Sequence, residues 1–323
     1  MPLFYVIDEL MKTTIRQSVL VGLMLVVAAA VGCSTEEPLP PSNGGDDGAE
    51  TTRRVGSLLA EFEHAPDRTK PRVKIHAQFL DAKGVPVDTA FEALEMWSSD
   101  SELDRDACSM ETTGAPPVAD SGESDIRLDL LSVGPITVDG PARRLELEAR
   151  RLPDLVTSFS GVIYGTDRST TRTYQRLEYE PGADYTFHAP GSTSAGGFEV
   201  TLKAPKPVRI EAASGKSGSG ARDIELRRGR DFKIRWNTPK GTHGAIFFDV
   251  ASGYGPDRPR LKCRLEDDGS FTLPGDIVSQ LAENTSSLNA SIRRVQSKDI
   301  DVPGLQDAEF NLSTVDRLTL HLE

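Results

Sequence analysis

The stretch RVKIHAQF, residues 72–79, alternates apolar and polar side chains without a break. Val73, Ile75, Ala77 and Phe79 fall on one side of an extended chain, and the polar side chains between them fall on the other. A strand with one face in a core and one face in water has this pattern. The stretch therefore predicts a half-buried β-strand and indicates a β-rich fold.

The same period of two continues along the chain on the C-terminal side of this stretch. Further strands are expected at IRLDLL, PITVDG, RRLELEA, SGVIYG and DYTFHA, separated by turns rich in Gly and Pro. One helix is expected to interrupt them at residues 88–97, where Asp88 can act as N-cap and Phe91, Leu94 and Trp97 follow at intervals of three.

From residue 207 the alternation is sharper and predicts about eight short strands with one short helix in PGDIVSQL, residues 274–281. This number and spacing of strands is typical of an immunoglobulin-like sandwich. No segment is long enough for parallel crossovers, so we expect an all-β fold with two β-sandwich units, residues 72–206 and 207–323. The inward faces are expected at Val208 and Ile210; Phe232, Ile234 and Trp236; Ile246, Phe248 and Val250; Leu261, Cys263 and Leu265; Phe271 and Leu273; Leu288, Ala290 and Ile292; Phe310 and Leu312; and Leu318, Leu320 and Leu322.

The N-terminal part has the composition of a removable leader. Its apolar run, residues 19–32, is shorter than the roughly 20 residues that a membrane-spanning helix needs. Lys12 and Arg16 precede the run and small residues end it, which is the order of a secretory signal peptide. We therefore expect residues 1–32 to be a signal peptide, with translation beginning at Met11 because Asp8 and Glu9 do not suit such a leader.

Residues 33–71 are expected to form a disordered tether. Residues 34–50, STEEPLPPSNGGDDGAE, lack apolar periodicity and are rich in Pro, Gly and acids. Val55, Leu58, Leu59 and Phe62 have the spacing of a short amphipathic helix. A strand remains an alternative there, because alternate positions between residues 56 and 62 also fit a period of two.

The chain is acidic, with 49 Asp and Glu against 37 Lys and Arg and a formal net charge of -12. A nucleic-acid partner is therefore not expected. Lys233 and Arg235 alternate with apolar residues, as on the water-facing side of a strand; the alternative is a patch that contacts an anionic polysaccharide or another protein. Basic residues cluster at Arg143, Arg144, Arg150 and Arg151, and at Arg222, Arg227, Arg228, Arg230, Lys233 and Arg235.

No motif in the sequence indicates catalysis, a metal or a cofactor. The five histidines form no HExxH or close pair, and neither a phosphate-binding loop nor a G-x-S-x-G elbow occurs. Asp100, Asp104 and Asp106 suit a solvated loop better than a calcium site, because the Gly and distal Glu of an EF-hand are missing. Two alternatives stay open: a periplasmic hydrolase with its site at residues 100–124, and a glycan-binding module. Candidates for an aromatic platform in the latter are Tyr164, Tyr174, Tyr179 and Tyr254.

Cys108 and Cys263 allow two interpretations. In an oxidising compartment exposed thiols pair, which favours a disulfide between the two units. Cys263 also lies on the same predicted face as Leu261 and Leu265, as a buried free cysteine would.

The run AVGC, residues 30–33, resembles the lipobox of bacterial lipoproteins, with Ala30 in place of the more usual Leu. The segments DACSMETTG, LDLLSVGPITV, RRLPDLVTSFSGVIYG, LEYEPGADYTFHAPG, GGFEVTLKAP and LKCRLEDDGSFTLPGDIV resemble a group of uncharacterised bacterial lipoproteins built from immunoglobulin-like β-sandwich modules. The resemblance implies a lipid anchor on Cys33, and Ser34 after it implies the outer membrane. The group has no established reaction. The leader, the alternation and the lack of reactive motifs together favour a non-catalytic binding or structural role, with envelope proteins or polysaccharide as expected further partners.

Overall fold

The computed structural model describes residues 52–64, 71–84, 90, 103–112, 127–156, 159–166, 177–217, 222–241, 244–252 and 259–323. Contacts group Thr51–Glu323 into one compact unit. The expected leader, Cys33 and residues 34–50 lie outside the described residues. Within the described ranges, no helix is long and apolar enough to cross a membrane.

The described chain is built almost entirely of strands, which confirms the all-β class. The elements are β1 (Arg53–Glu63), β2 (Arg72–Lys83), β3 (Ala107–Thr112), β4 (Arg127–Leu130), β5 (Thr137–Asp139), β6 (Arg144–Glu146), β7 (Glu148–Val156), β8 (Phe159–Gly165), β9 (Asp184–Ala189), β10 (Phe198–Lys203), β11 (Ile210–Ala213), β12 (Lys216–Ser217), β13 (Asp223–Leu226), β14 (Phe232–Trp236), β15 (Ala245–Ala251), β16 (Pro259–Leu265), β17 (Ser270–Leu273), α1 (Gly275–Leu281), β18 (Ser287–Asp299) and β19 (Asp307–Leu322).

A 12-stranded sheet, here called the large sheet, runs in the order β3-β16-β15-β18-β19-β1-β2-β4-β8-β7. Its remaining strands, β12 and β13, attach to β19 through β13. β1 and β13 therefore follow each other along one side of β19, both parallel to it. A four-stranded sheet, β10-β9-β5-β6, and a three-stranded sheet, β11-β14-β17, complete the fold.

Two hydrophobic cores share one face of the large sheet. Phe310 and Leu312 of β19 belong to the first core, which packs against the four-stranded sheet. Leu318 and Leu320 belong to the second core, which packs against the three-stranded sheet and α1. Because these residues occupy alternate positions of one strand, both small sheets lie on the same side of the large sheet.

The period-two pattern located the inward faces well. The predicted inward residues of β14, β15, β16 and β18 are all buried, as are those of β19 at both of its ends. The short helix predicted in PGDIVSQL is present as α1 and buries Val278 and Leu281. These side chains are apolar at every second position because each strand has one face in a core.

The tether assigned to residues 33–71 is wrong from residue 53, because residues 53–63 form β1 inside the large sheet. Pairing with β2 on one side and β19 on the other satisfies its backbone. Leu58 and Phe62 enter the first core, so the short helix expected here is also wrong. The alternative of a strand is correct.

The cores also do not divide at residue 206. Val302, Ala308 and Phe310, from the C-terminal part, lie in the first core. Conversely β3, from the N-terminal part, pairs with β16 beside the second core. Of the helix expected at residues 88–97, Ala90 is helical and buried, and the other residues lie outside the described ranges.

Candidate functional site

The two cores meet at a connection that we call the waist, residues 204–209 between β10 and β11. Side chains from β19 and from the segment before β9 hold its backbone. Thr314 Oγ1 donates to Lys206 O at 3.2 Å and accepts from Val208 N at 3.1 Å. Tyr179 Oη donates to Pro205 O at 2.6 Å. The waist is therefore fixed by hydrogen bonds on several sides.

Arg294 is the centre of this arrangement and is completely buried. Its Nε and Nη2 donate to the two carboxylate oxygens of Asp267 at 2.8 and 2.9 Å. Nη1 donates to the carbonyls of Lys206 and Pro207 at 3.1 and 2.9 Å, and Nη2 also donates to Asn237 O at 2.8 Å. All five guanidinium N–H groups are therefore satisfied, which a buried arginine requires.

Asp316 holds the start of β11 against the large sheet. Its Oδ2 accepts from Ile210 N at 2.8 Å and lies 2.9 Å from Arg222 Nη2. Burial raises the pKa of Asp316, while the hydrogen bond from Ile210 and the charge of Arg222 act in the opposite direction. The carboxylate stabilises the entry into the three-stranded sheet.

The face of the large sheet turned away from the cores carries a ladder of charges across neighbouring strands. Arg293 bridges Glu61, at 3.1 Å, and Asp249. Arg317 lies 2.6 Å from Glu61. Burial raises the pKa of Glu61, but Arg293 and Arg317 outweigh it and lower that pKa to about 2. Glu61 is therefore an anion at neutral pH and has no proton to donate in acid catalysis.

The outer side of the three-stranded sheet carries a basic face, which we define as Arg209, Lys233 and Arg235. Burial alternates strictly along β14, so Lys233 and Arg235 are exposed while Ile234 between them is buried. Arg209 is exposed, and its carbonyl accepts from Asn237 N at 3.2 Å, which places Arg209 beside β14. The prediction that Lys233 and Arg235 face water is confirmed.

Within the described part of the chain, the basic face forms no ion pair, although the charge of Arg209 acts to lower the pKa of the buried Asp316. None of its three cations has a described carboxylate oxygen within 4.0 Å. Ser270 and Thr272 of β17, paired with Arg235 and Lys233, are also exposed.

Cys108 and Cys263 form a disulfide, with their Sγ atoms 2.05 Å apart. They stand directly opposite each other on the antiparallel strands β3 and β16. The bond ties an edge strand of the large sheet to its neighbour. The prediction that Cys263 lies on a buried face with Leu261 and Leu265 is confirmed, but the interpretation of Cys263 as a free thiol is wrong.

The aromatic platform finds no support in the two described tyrosine candidates. Tyr164 is buried, and its Oη accepts from Val133 N at 3.0 Å. Tyr179 packs on Phe62 with ring centroids 4.7 Å apart. Both serve the first core, while Tyr174 and Tyr254 lie outside the described residues.

The acidic loop and the histidines assemble no metal site among the described residues. Asp106 Oδ1 accepts from Glu266 N at 2.9 Å, so this carboxylate caps a turn. Asp100 and His243 lie outside the described ranges. His64 is half-buried, and both burial and the nearby Arg209 lower its pKa. His64 is therefore neutral at pH 7.

The sequence analysis missed Arg294 and Arg209. A signal for Arg294 was available, because Leu288, Ala290 and Ile292 define the inward face of β18 and residue 294 continues it. An arginine at an inward position predicts a buried partner such as Asp267. Arg209 stands apart in sequence from the other basic residues, and only the pairing of β11 with β14 brings them together.

No family model matches this sequence, and no curated protein matches it. Among solved structures, the yeast delta-COP-I mu-homology domain aligns with 88% of this chain and 100% of its own, at 9% identity and a TM-score of 0.19. A likeness at that TM-score carries no argument about fold or function.

Proposed function

We propose that this chain is a lipid-anchored protein of the bacterial cell envelope, held at the outer membrane through Cys33, whose folded body is a non-catalytic binding or structural module. Support for the anchor comes from the leader and from the AVGC run at residues 30–33. Several acyl chains on one cysteine give stable attachment, whereas a single chain holds a protein only marginally.

The proposal of a non-catalytic role rests on one observation: the buried carboxylates form ion pairs with arginine side chains. Glu61 and Asp249 both pair with Arg293, and Asp267 pairs with Arg294. A general acid or base needs a pKa near the working pH and access to a substrate. Carboxylates that are held in buried ion pairs with arginines stabilise a rigid body, which suits a scaffold or a binding module.

Metabolic labelling tests the anchor. Bacteria that express the full chain are grown with radiolabelled palmitate, and the membranes are separated on a density gradient. We expect the wild-type protein to carry label and to sediment with the outer membrane, while Cys33→Ala is unlabelled and leaves the membrane fraction. Cys108→Ala/Cys263→Ala is the matched control and keeps its label. Unlabelled wild-type protein, or a Cys33→Ala form that remains in the membrane, contradicts the proposal.

A further inference from the structure

We infer that the basic face formed by Arg209, Lys233 and Arg235 binds an acidic polysaccharide, a linear sugar polymer with repeated carboxylates. The inference deepens the proposed function by naming a ligand class for the binding module, and it rests on the envelope location for access to such a polymer. The inference rests on the exposure of these three cationic side chains.

The local charge is opposite to that of the protein. Residues 207–240 contain nine Lys and Arg against four Asp and Glu, an excess of five positive charges in a chain whose net charge is -12. A positive region on an acidic protein attracts anions locally, although the molecule as a whole repels them. The segment that carries this excess builds β11 to β14.

The spacing concentrates these charges in a small area. Lys233 and Arg235 are two residues apart on the same face of β14, a separation of about 7 Å along a strand. Arg209 lies in the neighbouring segment, directly before β11, and its backbone is hydrogen-bonded to Asn237. Like charges at neighbouring outward positions repel each other, and no described carboxylate within 4.0 Å relieves them. A polymer with anions in series removes this repulsion.

The shape of the surface favours a polymer over a small anion. An exposed ion pair contributes little by itself, so affinity at an open face requires several simultaneous pairs on one ligand. Arginine binds carboxylates through two parallel hydrogen bonds, which suits Arg209 and Arg235. The hydroxyls of Ser270 and Thr272 lie alongside and can bond to sugar hydroxyls.

The composition of the same face argues against single-stranded nucleic acid. Proteins that bind single strands offer aromatic side chains for base stacking. The aromatic residues of β14, Phe232 and Trp236, point into the second core. The exposed neighbours of the cations are Ser270 and Thr272, which offer no stacking surface.

Binding to alginate, a polymer of uronic acids, tests the inference. The full-length protein in non-ionic detergent is passed over immobilised alginate, with neutral dextran as the reference surface. We expect salt-sensitive binding by the wild type, weakened at least about tenfold in Arg209→Gln/Lys233→Gln/Arg235→Gln. The matched control, Arg143→Gln/Arg151→Gln/Lys203→Gln, removes the same charge from exposed positions elsewhere and is expected to change the affinity less than about twofold.

Three outcomes overturn the inference: wild-type protein that does not bind alginate, an equal loss in both triple variants, or tighter binding to single-stranded DNA or anionic vesicles than to alginate. Unchanged thermal unfolding of the variants shows that they remain folded, since all six side chains are exposed. The Cys33→Ala chain is expected to bind alginate as the wild type does. A failed anchor and a failed binding face are therefore distinguishable.

Discussion

Arg294 and Asp267 form a bidentate ion pair, with Nε to Oδ2 at 2.8 Å and Nη2 to Oδ1 at 2.9 Å. The same guanidinium binds the carbonyls of Lys206 and Pro207 in the waist. One side chain thus joins β18, the turn after β16 and the connection between the two small sheets. We expect the two cores to unfold together because this pair links them.

Arg294→Met is expected to lower the free energy of unfolding by about 3 to 5 kcal/mol, because it leaves the largely buried carboxylate of Asp267 without its cation and removes a donor from three carbonyls. Urea unfolding followed by tryptophan fluorescence measures the loss, with Trp236 close to the site. Arg235→Met, an exposed position, is the control and is expected to change stability by less than about 0.5 kcal/mol. Equal unfolding midpoints for the two variants would show that the buried pair does not stabilise the waist.

Glu61 gives the protein a specific acid sensitivity. Its pKa falls from 4.5 to about 2 on folding, so its contribution is fully present above pH 4.5 and is lost as pH falls through about 2. Glu61→Gln is expected to cost on the order of 3 kcal/mol at pH 7 and to flatten the decline in stability below pH 4.5. Urea unfolding at several pH values tests this, with the exposed Glu148→Gln as control. An unchanged decline in Glu61→Gln contradicts the assignment.

The disulfide closes a long loop, because its cysteines are 155 residues apart in sequence. Cys108→Ala/Cys263→Ala is expected to lower Tm, with a loss of up to about 5 kcal/mol in the chain-entropy model. A thiol reductant should lower the Tm of the wild type towards that of the variant and leave the variant unchanged. Alkylation of both cysteines in the native, unreduced protein would show that the bond does not form.

Gly161 lies in β8 at a φ of +123°, where an added Cβ meets the carbonyl oxygen of Leu130 on β4. Gly161→Ala is therefore expected to lose more than about 4 kcal/mol or to accumulate as insoluble protein. Gly229→Ala is the matched control: its φ is +71°, but no atom lies within 4 Å of the added Cβ, so a loss of about 1 kcal/mol is expected. Soluble yield and urea unfolding compare the two. Similar losses would mean that backbone strain, and not the contact with Leu130, decides the outcome.

Much of the second core could be predicted from the sequence, because β14 and β16 alternate buried apolar residues with more exposed charged ones. Phe232, Ile234 and Trp236 alternate with Lys233 and Arg235, and all three are buried. β1 lacks clear alternation because both of its faces are buried: Leu58 enters a core, while Ser57 and Glu61 are buried on the opposite face, where Glu61 belongs to the charge ladder. Polar residues on a buried face give no apolar alternation.

Strand pairings between distant segments could not be predicted from the sequence. Leu58 pairs with Phe310, and no local pattern indicates that register. The pairing of Cys108 with Cys263 is one of the two interpretations that the sequence allows, but the sequence does not show that β3 and β16 are neighbours. The boundary expected at residue 206 failed for this reason, since a change in pattern along the chain does not reveal which core a strand completes. Only part of the basic face could be predicted from the sequence. The alternation along β14 predicts that Lys233 and Arg235 are exposed, whereas Arg209 comes close to them only because β11 pairs with β14.

The position of β19 couples the folding of the two hydrophobic cores. It supplies Phe310 to one core and Leu320 to the other, and it follows every other described strand along the chain. Neither core is complete until residues 307–322 pair with β18 and β1 in the large sheet. A change that loosens β19 is therefore expected to weaken both cores at once.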